Sequence, residues 1–345
     1  MIRITMFSAA ETVPGQGVGS AYRELVNLLT EKFPNEFELK FNSLAKTDIS
    51  HYHTINFGFF LNTFLPGRGT KVGYVHFIPE TLEDSIKLWW PFKKIFYWYM
   101  MTFYKRMDQI VVVNPVFIDK LVALGVKREK ITFIPNFVSK KVFYKQPIIQ
   151  KTKLRQKLNL PEQGYTVLGV GQVQVRKGVL DFIQLAKDNP DWTFVWVGGF
   201  SFGSITAGYD QLKKVIDNPP KNLIFPGIVD RSLMNDYYNA ADVFLLPSYT
   251  ELFPMSALEA FSTGTPTILR DLELYQAIIA GYYLPAYDRQ AMQTQLDKLA
   301  KDDGLQERMS QQSLSASEYY SAERVSKIWE AYYTAQVQYK NNEVN

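Results

Sequence analysis

Two glutamates eight positions apart, Glu251 and Glu259, have the side chains and spacing that best suit a binding site in this chain. The segment before them, 242–247, predicts a buried parallel strand, and the run after Pro254 predicts a helix with proline in its first turn. Free N–H groups at that helix start would favour a phosphate, and the two carboxylates could accept hydrogen bonds from sugar hydroxyls. The layout suits a sugar nucleotide, whereas a generic pair at this spacing is more often one loop glutamate and one solvated helix glutamate.

Two glycine-marked loops accompany this motif, each after a predicted first strand. One is Gly15–Gly19 after Ile2–Phe7, and the other is Gly171–Gly178 after Thr166–Val170. Ligands of doubly wound sheets bind at the carboxyl ends of strands, so both loops are expected to face one crevice. Glycine there allows left-handed backbone angles and close approach of a ligand or of another domain.

Cationic residues of the second loop could bind a diphosphate. Arg176 offers a bidentate fork and Lys177 a compact charge. The alternative is two solvated basic residues at a helix start. Both residues are predicted to belong to the binding site for the sugar nucleotide.

Histidines supply a second candidate group. His76 ends the predicted strand 71–75, where side chains meet the crevice, and a structural role is its alternative. His51 and His53 stand at another strand edge, where a structural role is favoured. Scattered histidines without cysteine form no persuasive metal site, and nothing completes a coordination sphere around Asp271 and Glu273. Catalysis is therefore expected without an obligatory metal.

Apolar runs alternate with amphipathic stretches throughout the chain, the pattern of an α/β protein built from parallel units. Two doubly wound, Rossmann-like domains facing a crevice are predicted. The expected limits are 1–145 for the first domain, 146–320 for the second domain, and 321–345 for a C-terminal helix. The predicted strands are 2–7, 37–41, 54–57, 71–75, 109–113 and 131–134, then 166–170, 193–197, 222–225, 243–246 and 267–269.

Composition agrees with this division. The chain has 345 residues, 46% of them hydrophobic, enough for two ordinary cores, and it has no cysteine, which suits a reducing cytoplasm. No secretory signal is apparent, and the uncharged aromatic run 95–104 is shorter than the roughly 20 residues of a spanning helix. Residues 1–150 carry 19 Lys and Arg against 12 Asp and Glu, and the remainder has a net charge of −3. The basic half favours an anionic membrane surface over nucleic acid, for which no motif is present.

A segment of the basic half combines aromatic rings with flanking cations. Such a composition suits the headgroup zone of an anionic bilayer. Its alternative is a well-packed helix, which is equally supported for 95–104. The predicted membrane and acceptor residues are Trp89, Trp90, Phe92, Lys93, Lys94, Lys105 and Arg106.

The second half resembles family 4 of the retaining nucleotide-sugar glycosyltransferases, which have the GT-B fold and a Glu, seven residues, Glu signature. The resemblance covers most of that half through 222–229, 237–248, 258–260 and 264–266, in the family's order and spacing. It implies transfer from a UDP-sugar with retention of configuration. It also implies that 1–145 faces the acceptor and the membrane, that 146–320 binds the nucleotide sugar, and that the helix 321–345 returns to the first domain. Glu251 would then hold donor-sugar hydroxyls, Glu259 the ribose, and His76 would lie beside the transferred sugar. Other implied donor-site residues are Gly17, Gly19, Gln172, Arg176, Lys177, Val229, Phe253, Pro254, Met255 and Ser256, with His76, Glu251 and Lys177 as the catalytic set.

One position departs from the family pattern. The family usually has an arginine directly after the first glycine of the second loop, and this chain has Gln172. The hypothesis is that Arg176 supplies the missing charge.

The acceptor is inferred from the basic, aromatic first half together with the motif variants. These look most like the bacterial members that extend glucosyl-diacylglycerol to an α-linked diglycosyl lipid at the cytoplasmic face of the membrane, the galactosyl-transferring branch above all. One alternative is a transferase for capsular or cell-wall polysaccharide. Others are a non-catalytic partner subunit and a nicotinamide dehydrogenase using Gly15–Gly19, whose glycine spacing does not match. Motif spacing does not separate galactose from glucose as donor.

Overall fold

The structure is a computed structural model that describes residues 1–10, 17–78, 90–201, 203 and 208–343, except for the side chains of 90, 91 and 339–343. The described part of the chain contains two parallel β-sheets, each surrounded by helices. No described helix combines the length and apolar character needed to cross a membrane.

The first sheet comes from the N-terminal half, in the strand order β2-β1-β3-β4-β5-β6, and all its pairs are parallel. Four helices are present among the described residues of this half. The elements are β1 (Ile2–Phe7), α1 (Gly17–Lys32), β2 (Phe37–Phe41), β3 (Ile49–Tyr52), α2 (Phe57–Asn62), β4 (Thr70–Val75), α3 (Trp90–Lys105), β5 (Gln109–Val112), α4 (Val116–Ala123) and β6 (Ile131–Phe133).

The second sheet repeats this design with the order β12-β11-β10-β7-β8-β9, again parallel. Its elements are α5 (Lys151–Lys157), β7 (Thr166–Val170), α6 (Val179–Asp188), β8 (Thr193–Val197), α7 (Tyr209–Asp217), β9 (Leu223–Gly227), α8 (Arg231–Ala240), β10 (Val243–Leu246), α9 (Met255–Ser262), β11 (Thr267–Arg270), α10 (Glu273–Gln276), β12 (Leu284–Ala286), α11 (Arg289–Lys301), α12 (Asp303–Tyr319) and α13 (Ala322–Glu343).

Continuous apolar runs form the central strands because helices cover both faces of each sheet. In β10 every residue from Val243 to Leu246 is buried. The predicted fold of two Rossmann-like domains is confirmed.

One predicted strand, 54–57, is wrong. The strand is Ile49–Tyr52, and Phe57 begins α2. The strand β3 was missed because it contains the polar residues Ser50 and His51, which are buried with partners inside the protein. Ser50 Oγ donates to the Arg68 carbonyl at 2.7 Å, and His51 Nδ1 lies 2.8 Å from the Tyr333 hydroxyl. The short strand β12 was not predicted.

The last helix, α13, contacts the first sheet. Trp329 packs against the His51 ring at a centroid distance of 5.5 Å, and Thr70 of β4 donates to the Gln336 carbonyl at 3.0 Å. The C-terminal segment therefore packs on the N-terminal sheet. The limits 1–145, 146–320 and 321–345 stay predictions.

Candidate active site

A cavity of about 710 Å³ lies between the two halves of the chain, a size that suits a small-molecule ligand. Its lining includes residues just beyond strand ends: His76 after β4, Val113 after β5, Gly171 after β7, Gly198 after β8 and Thr250 after β10. This is the position that doubly wound sheets provide for ligands.

Close backbone packing shapes the loop after β7. Gly198 has φ +138°, and a Cβ there would lie 1.9 Å from the Gly171 carbonyl oxygen. Gly178 ends the loop at φ +70°, and its Cβ would lie 2.2 Å from the carbonyl oxygen of Pro247. Only glycine fits either position without a backbone shift. The loop is thereby held against the residues that follow β10.

A buried ion pair joins this loop to the first glutamate. Lys177 Nζ contacts Glu251 Oε1, and the two side chains are 14% and 8% exposed. Burial lowers the pKa of Lys177, and the attraction of Glu251 only partly offsets it. Burial also opposes ionisation of Glu251, but the charges of Lys177 and Arg176 hold its pKa below the ordinary value. Glu251 is therefore a carboxylate at neutral pH, in direct contact with the Lys177 amine.

Arg176 lies beside Gln172, as the charge-replacement hypothesis requires. Its guanidinium donates to the Thr250 carbonyl at 3.3 Å and lies 3.5 Å from Gln172 Oε1. Arg176 Nε is buried without a hydrogen-bond partner among the described residues, and both side chains line the cavity. A cation thus stands next to the position where the family arginine is missing.

The loop that carries Glu251 is anchored from the opposite half. Asn114 donates to the Leu252 carbonyl at 3.1 Å, and Asn136 donates to the Phe253 carbonyl at 3.3 Å. Directly after this loop, α9 begins at Met255 without a side-chain cap on its first turn. Its first N–H groups can therefore donate hydrogen bonds to an anion.

Glu259 lies within the second turn of α9 and is 5% exposed. Its Oε1 accepts from Arg231 at 3.1 Å, and its Oε2 accepts from the Tyr238 hydroxyl at 2.9 Å. Burial raises the pKa of Glu259, although Arg231 and Tyr238 partly counteract it.

His76 lines the cavity on the N-terminal side. Burial lowers its pKa to about 3, so the imidazole is neutral near pH 7. Its Nε2 has no hydrogen-bond partner among the described residues. A neutral ring with one unpaired nitrogen can donate or accept a hydrogen bond to a ligand, depending on its tautomer.

The cavity brings together most of the predicted site residues from the two halves. They are Gly17, His76, Gln172, Arg176, Lys177, Val229, Glu251, Phe253, Pro254, Met255, Ser256 and Glu259. Gly19 is not in the lining: a Cβ there would lie 3.0 Å from the Ala10 carbonyl oxygen, so it serves the close packing of α1. Gly15 and Trp89 lie outside the described residues.

Several lining residues were missed, among them Arg23, Asn136 and Arg231. An amphipathic pattern gives no sign of which polar residue of a helix meets a distant loop. The only signal for Asn136 is its position just after a predicted strand.

Trp89 and the side chain of Trp90 lie outside the part of the chain that the structure describes. The other predicted membrane residues, which do not line the cavity, lie on α3 and just beyond it: Phe92, Lys93, Lys94, Lys105 and Arg106. Phe92 is 59% exposed, and Lys105 is exposed. The Arg106 guanidinium donates to the Thr63 hydroxyl at 2.9 Å and lies 3.5 Å from the Phe64 ring centroid, so it also has an internal packing role. Within the described ranges, no group of three or more His, Asp or Glu side chains is placed to hold a metal.

Family models match both halves of the chain. The model described as Glycosyl transferases group 1 matches residues 150–315, and the model described as Glycosyltransferase Family 4 matches residues 15–141. The alpha-galactosylglucosyldiacylglycerol synthase of Streptococcus pneumoniae (strain ATCC BAA-255 / R6) is 46% identical over 97% of this chain and 90% of that protein. The processive diacylglycerol alpha-glucosyltransferase of Acholeplasma laidlawii is 30% identical over 58% of this chain and 59% of its own.

Solved structures show the same architecture. Sucrose-phosphate synthase from Thermosynechococcus elongatus superposes with a TM-score of 0.79 at 16% identity, covering 97% of this chain and 99% of that one. Anabaena HepE in complex with UDP-glucose gives 0.76 at 15% identity, covering 97% and 100%.

Two parallel-sheet domains around a shared crevice are the architecture called the GT-B fold. The extent and identity of the sequence matches then specify the family: this chain belongs to family 4 of the glycosyltransferases. The resemblance found in the sequence is confirmed, and the dehydrogenase alternative is set aside.

Proposed function

We propose that this enzyme transfers a hexose, with galactose favoured over glucose, from a UDP-sugar to glucosyl-diacylglycerol. The product is an α-linked diglycosyl-diacylglycerol, formed with retention of configuration at the cytoplasmic face of the cell membrane. Support comes from the pneumococcal relative, whose name specifies a galactosylglucosyldiacylglycerol synthase, and from the alpha-monoglucosyldiacylglycerol synthase of Acholeplasma laidlawii, which is 27% identical over 51% of this chain. HepE supports the donor class because its structures hold UDP and UDP-glucose.

The observation that carries the donor proposal is the placement of Glu251 and Glu259 on either side of the uncapped start of α9, inside one cavity. The helix start would receive the diphosphate, Glu259 the ribose hydroxyls, and Glu251 the hydroxyls of the sugar. Lys177 has three N–H donors, so it can contact Glu251 and still reach a phosphate oxygen. With Arg176, it would stabilise the negative charge that develops on the leaving diphosphate.

His76 would face the transferred sugar from the opposite half. Since burial keeps its imidazole neutral, it would act through a hydrogen bond to the sugar or the acceptor and not through a positive charge. Gly17 would allow the start of α1 to approach the diphosphate closely. The reaction is proposed to need no metal, because Lys177, Arg176 and the helix start supply positive charge at the phosphates.

For the acceptor, we propose that α2 and α3 form a surface that docks on an anionic bilayer. Large apolar side chains are exposed on both helices, and lysines border them. Two aromatic contacts join the helices into one surface, since the Tyr99 ring of α3 packs edge-on against Phe60 and at a tilt against Phe57 of α2. The exposed apolar residues are Phe57, Leu61, Phe92, Ile95 and Trp98, together with Phe64 just after α2. Phe96, on the same helix, lines the cavity, so a glycolipid headgroup could pass directly from this surface to the site.

Vesicle sedimentation tests the docking surface. The double variant Ile95→Asp/Trp98→Asp is expected to lose binding to vesicles that contain phosphatidylglycerol, because it puts charge at the proposed contact. Ile149→Asp is the matched control, since Ile149 is 79% exposed but lies in the short 3₁₀ segment 148–150, before α5. Equal binding by the native protein and the double variant would refute this surface.

Transfer itself is tested by giving UDP-galactose and UDP-glucose separately to the protein with vesicles of glucosyl-diacylglycerol, followed by thin-layer separation. A labelled diglycosyl lipid is expected with UDP-galactose, and Glu251→Gln is expected to remove most of it. Transfer to a soluble sugar but not to lipid would favour a polysaccharide transferase. Absence of both transfer and donor hydrolysis with either nucleotide would refute the proposal.

A further inference from the structure

Arg231, which the motif analysis did not single out, links the two sides of the crevice. Its guanidinium donates to Glu259 at 3.1 Å on the C-terminal side and to Glu24 of α1 at 2.6 Å on the N-terminal side. It also approaches Ser20 of α1 at 3.3 Å and lies 5.0 Å from the Phe143 ring. Both carboxylate side chains are nearly buried, at 5% and 6% exposure, whereas Arg231 is 23% exposed and lines the cavity.

The arrangement places two acids around one cation. Glu24 also accepts from the Ser139 N–H at 3.1 Å, so it is held in place independently of Arg231. Without Arg231, the carboxylates of Glu24 and Glu259 would face each other as buried like charges, which disfavours ionisation of Glu259. A protonated Glu259 would accept fewer hydrogen bonds from a diol than the carboxylate does.

We infer that Arg231 is a positioning residue for donor binding: its contact with Glu259 keeps that carboxylate ionised and oriented for the ribose hydroxyls, and its contact with Glu24 joins this orientation to closure of the crevice. The inference rests on the proposed ribose-binding role of Glu259.

Among the described residues, Arg231 forms an ion pair with Glu259, and Arg23 of α1 lines the same cavity. From α8 come Arg231 and the Tyr238 hydroxyl, and from α1 comes Glu24, which raises the pKa of Glu259. On the α12 side, α9 meets serine, with Ser262 and Ser317 hydroxyls 3.2 Å apart. Arg270, the charged residue of β11, forms an ion pair with Asp181, and the buried residues of β10 are apolar.

The test is a calorimetric titration of UDP into native and variant proteins between pH 5.5 and 8.5, in metal-free buffer. Arg231→Met is expected to bind UDP at least tenfold more weakly than native protein at pH 6 and to recover affinity as pH rises. Loss of an adjacent opposite charge moves a carboxyl titration by about one to three pH units, so the pH of half-maximal affinity should rise by that amount. Arg231→Lys should stay nearer the native profile, because the positive charge is retained.

Glu24→Gln separates this role from simple bridging. It removes the contact across the crevice but also removes a negative charge near Glu259. The pH of half-maximal UDP affinity should therefore not rise in this variant. The double variant Arg231→Met/Glu259→Gln should show no pH dependence beyond that of the nucleotide. Lys141→Gln is the control, because it removes an exposed ion pair to Glu31 of α1 that does not involve the cavity.

Parallel pH profiles for native protein and Arg231→Met would overturn the inference. So would an equal, pH-independent loss of affinity in Arg231→Met and Glu24→Gln, which would show that Arg231 only ties the two halves together. Circular dichroism and thermal unfolding of each variant identify any loss that comes from misfolding, in which case Arg231→Lys and Glu24→Gln carry the test. Native protein that bound no UDP would refute the proposed function itself.

Discussion

A buried cluster of three histidines should make the N-terminal half sensitive to acid. The rings of His51 and His53 lie 4.1 Å apart between centroids, and those of His53 and His76 lie 6.0 Å apart. Burial, with a contribution from His76, lowers the pKa of His51 to about 3, and burial lowers the pKa of His53 well below its ordinary value. Neither ring nitrogen of His53 has a partner among the described residues.

The sign follows from proton binding. Below pH 6.5 the unfolded chain binds protons at these histidines, whereas the folded chain leaves His51 and His76 unprotonated down to about pH 3 and also disfavours protonation of His53, so stability falls as the pH is lowered. From pH 7.5 to pH 5.0, each histidine can cost up to about 2 kcal/mol, and the three together up to about 6 kcal/mol. This is comparable to the total stability of a typical domain, about 5–15 kcal/mol.

The perturbation is His53→Leu, which removes one titrating ring and two unpaired buried nitrogens. Between pH 7.5 and 5.0, the free energy of unfolding measured in urea should fall less in this variant than in the native protein, by up to about 2 kcal/mol. Tyr332→Phe is the control: it removes a buried hydroxyl without a hydrogen-bond partner among the described residues, and its pH dependence should equal the native one. The same loss of stability in His53→Leu and native protein would refute the reasoning.

Three further outcomes concern the active site. Lys177→Met should lower kcat/KM at least about 100-fold, because it removes a cation from the proposed diphosphate site and leaves Glu251 buried without its ion-pair partner. Unchanged kinetics would show that Lys177 is not part of the site. Gly178→Ala should destabilise the protein by more than about 1 kcal/mol in urea unfolding, because its φ is +70° and the new Cβ would meet the Pro247 carbonyl; a native unfolding midpoint would contradict this. Treatment with EDTA should leave initial transfer rates unchanged, and a loss restored by a divalent cation would show that a metal is needed.

Local sequence was sufficient to predict most strands and to predict that most of the candidate site residues lie at one crevice. Continuous apolar runs such as Val243–Leu246 predict buried parallel strands, and in this fold the residue after such a strand lies at the crevice. Glu251, Lys177 and His76 follow strands in this way, and all three line the cavity. The prediction was wrong at 54–57 because the polar residues Ser50 and His51 of the true strand β3 find partners far away in the chain.

What the sequence by itself determined is the family, the two-sheet architecture and the order of residues around the crevice, since each depends on patterns within one strand-loop-helix unit. Only the tertiary structure decided which distant side chains meet. Arg231 and Glu24 are 207 positions apart, and Asn136 reaches the Phe253 carbonyl across 117. Such contacts form where surfaces from the two halves of the chain meet. The local sequence pattern does not indicate which polar residues will be in contact there, because the contacts depend on how the whole chain packs.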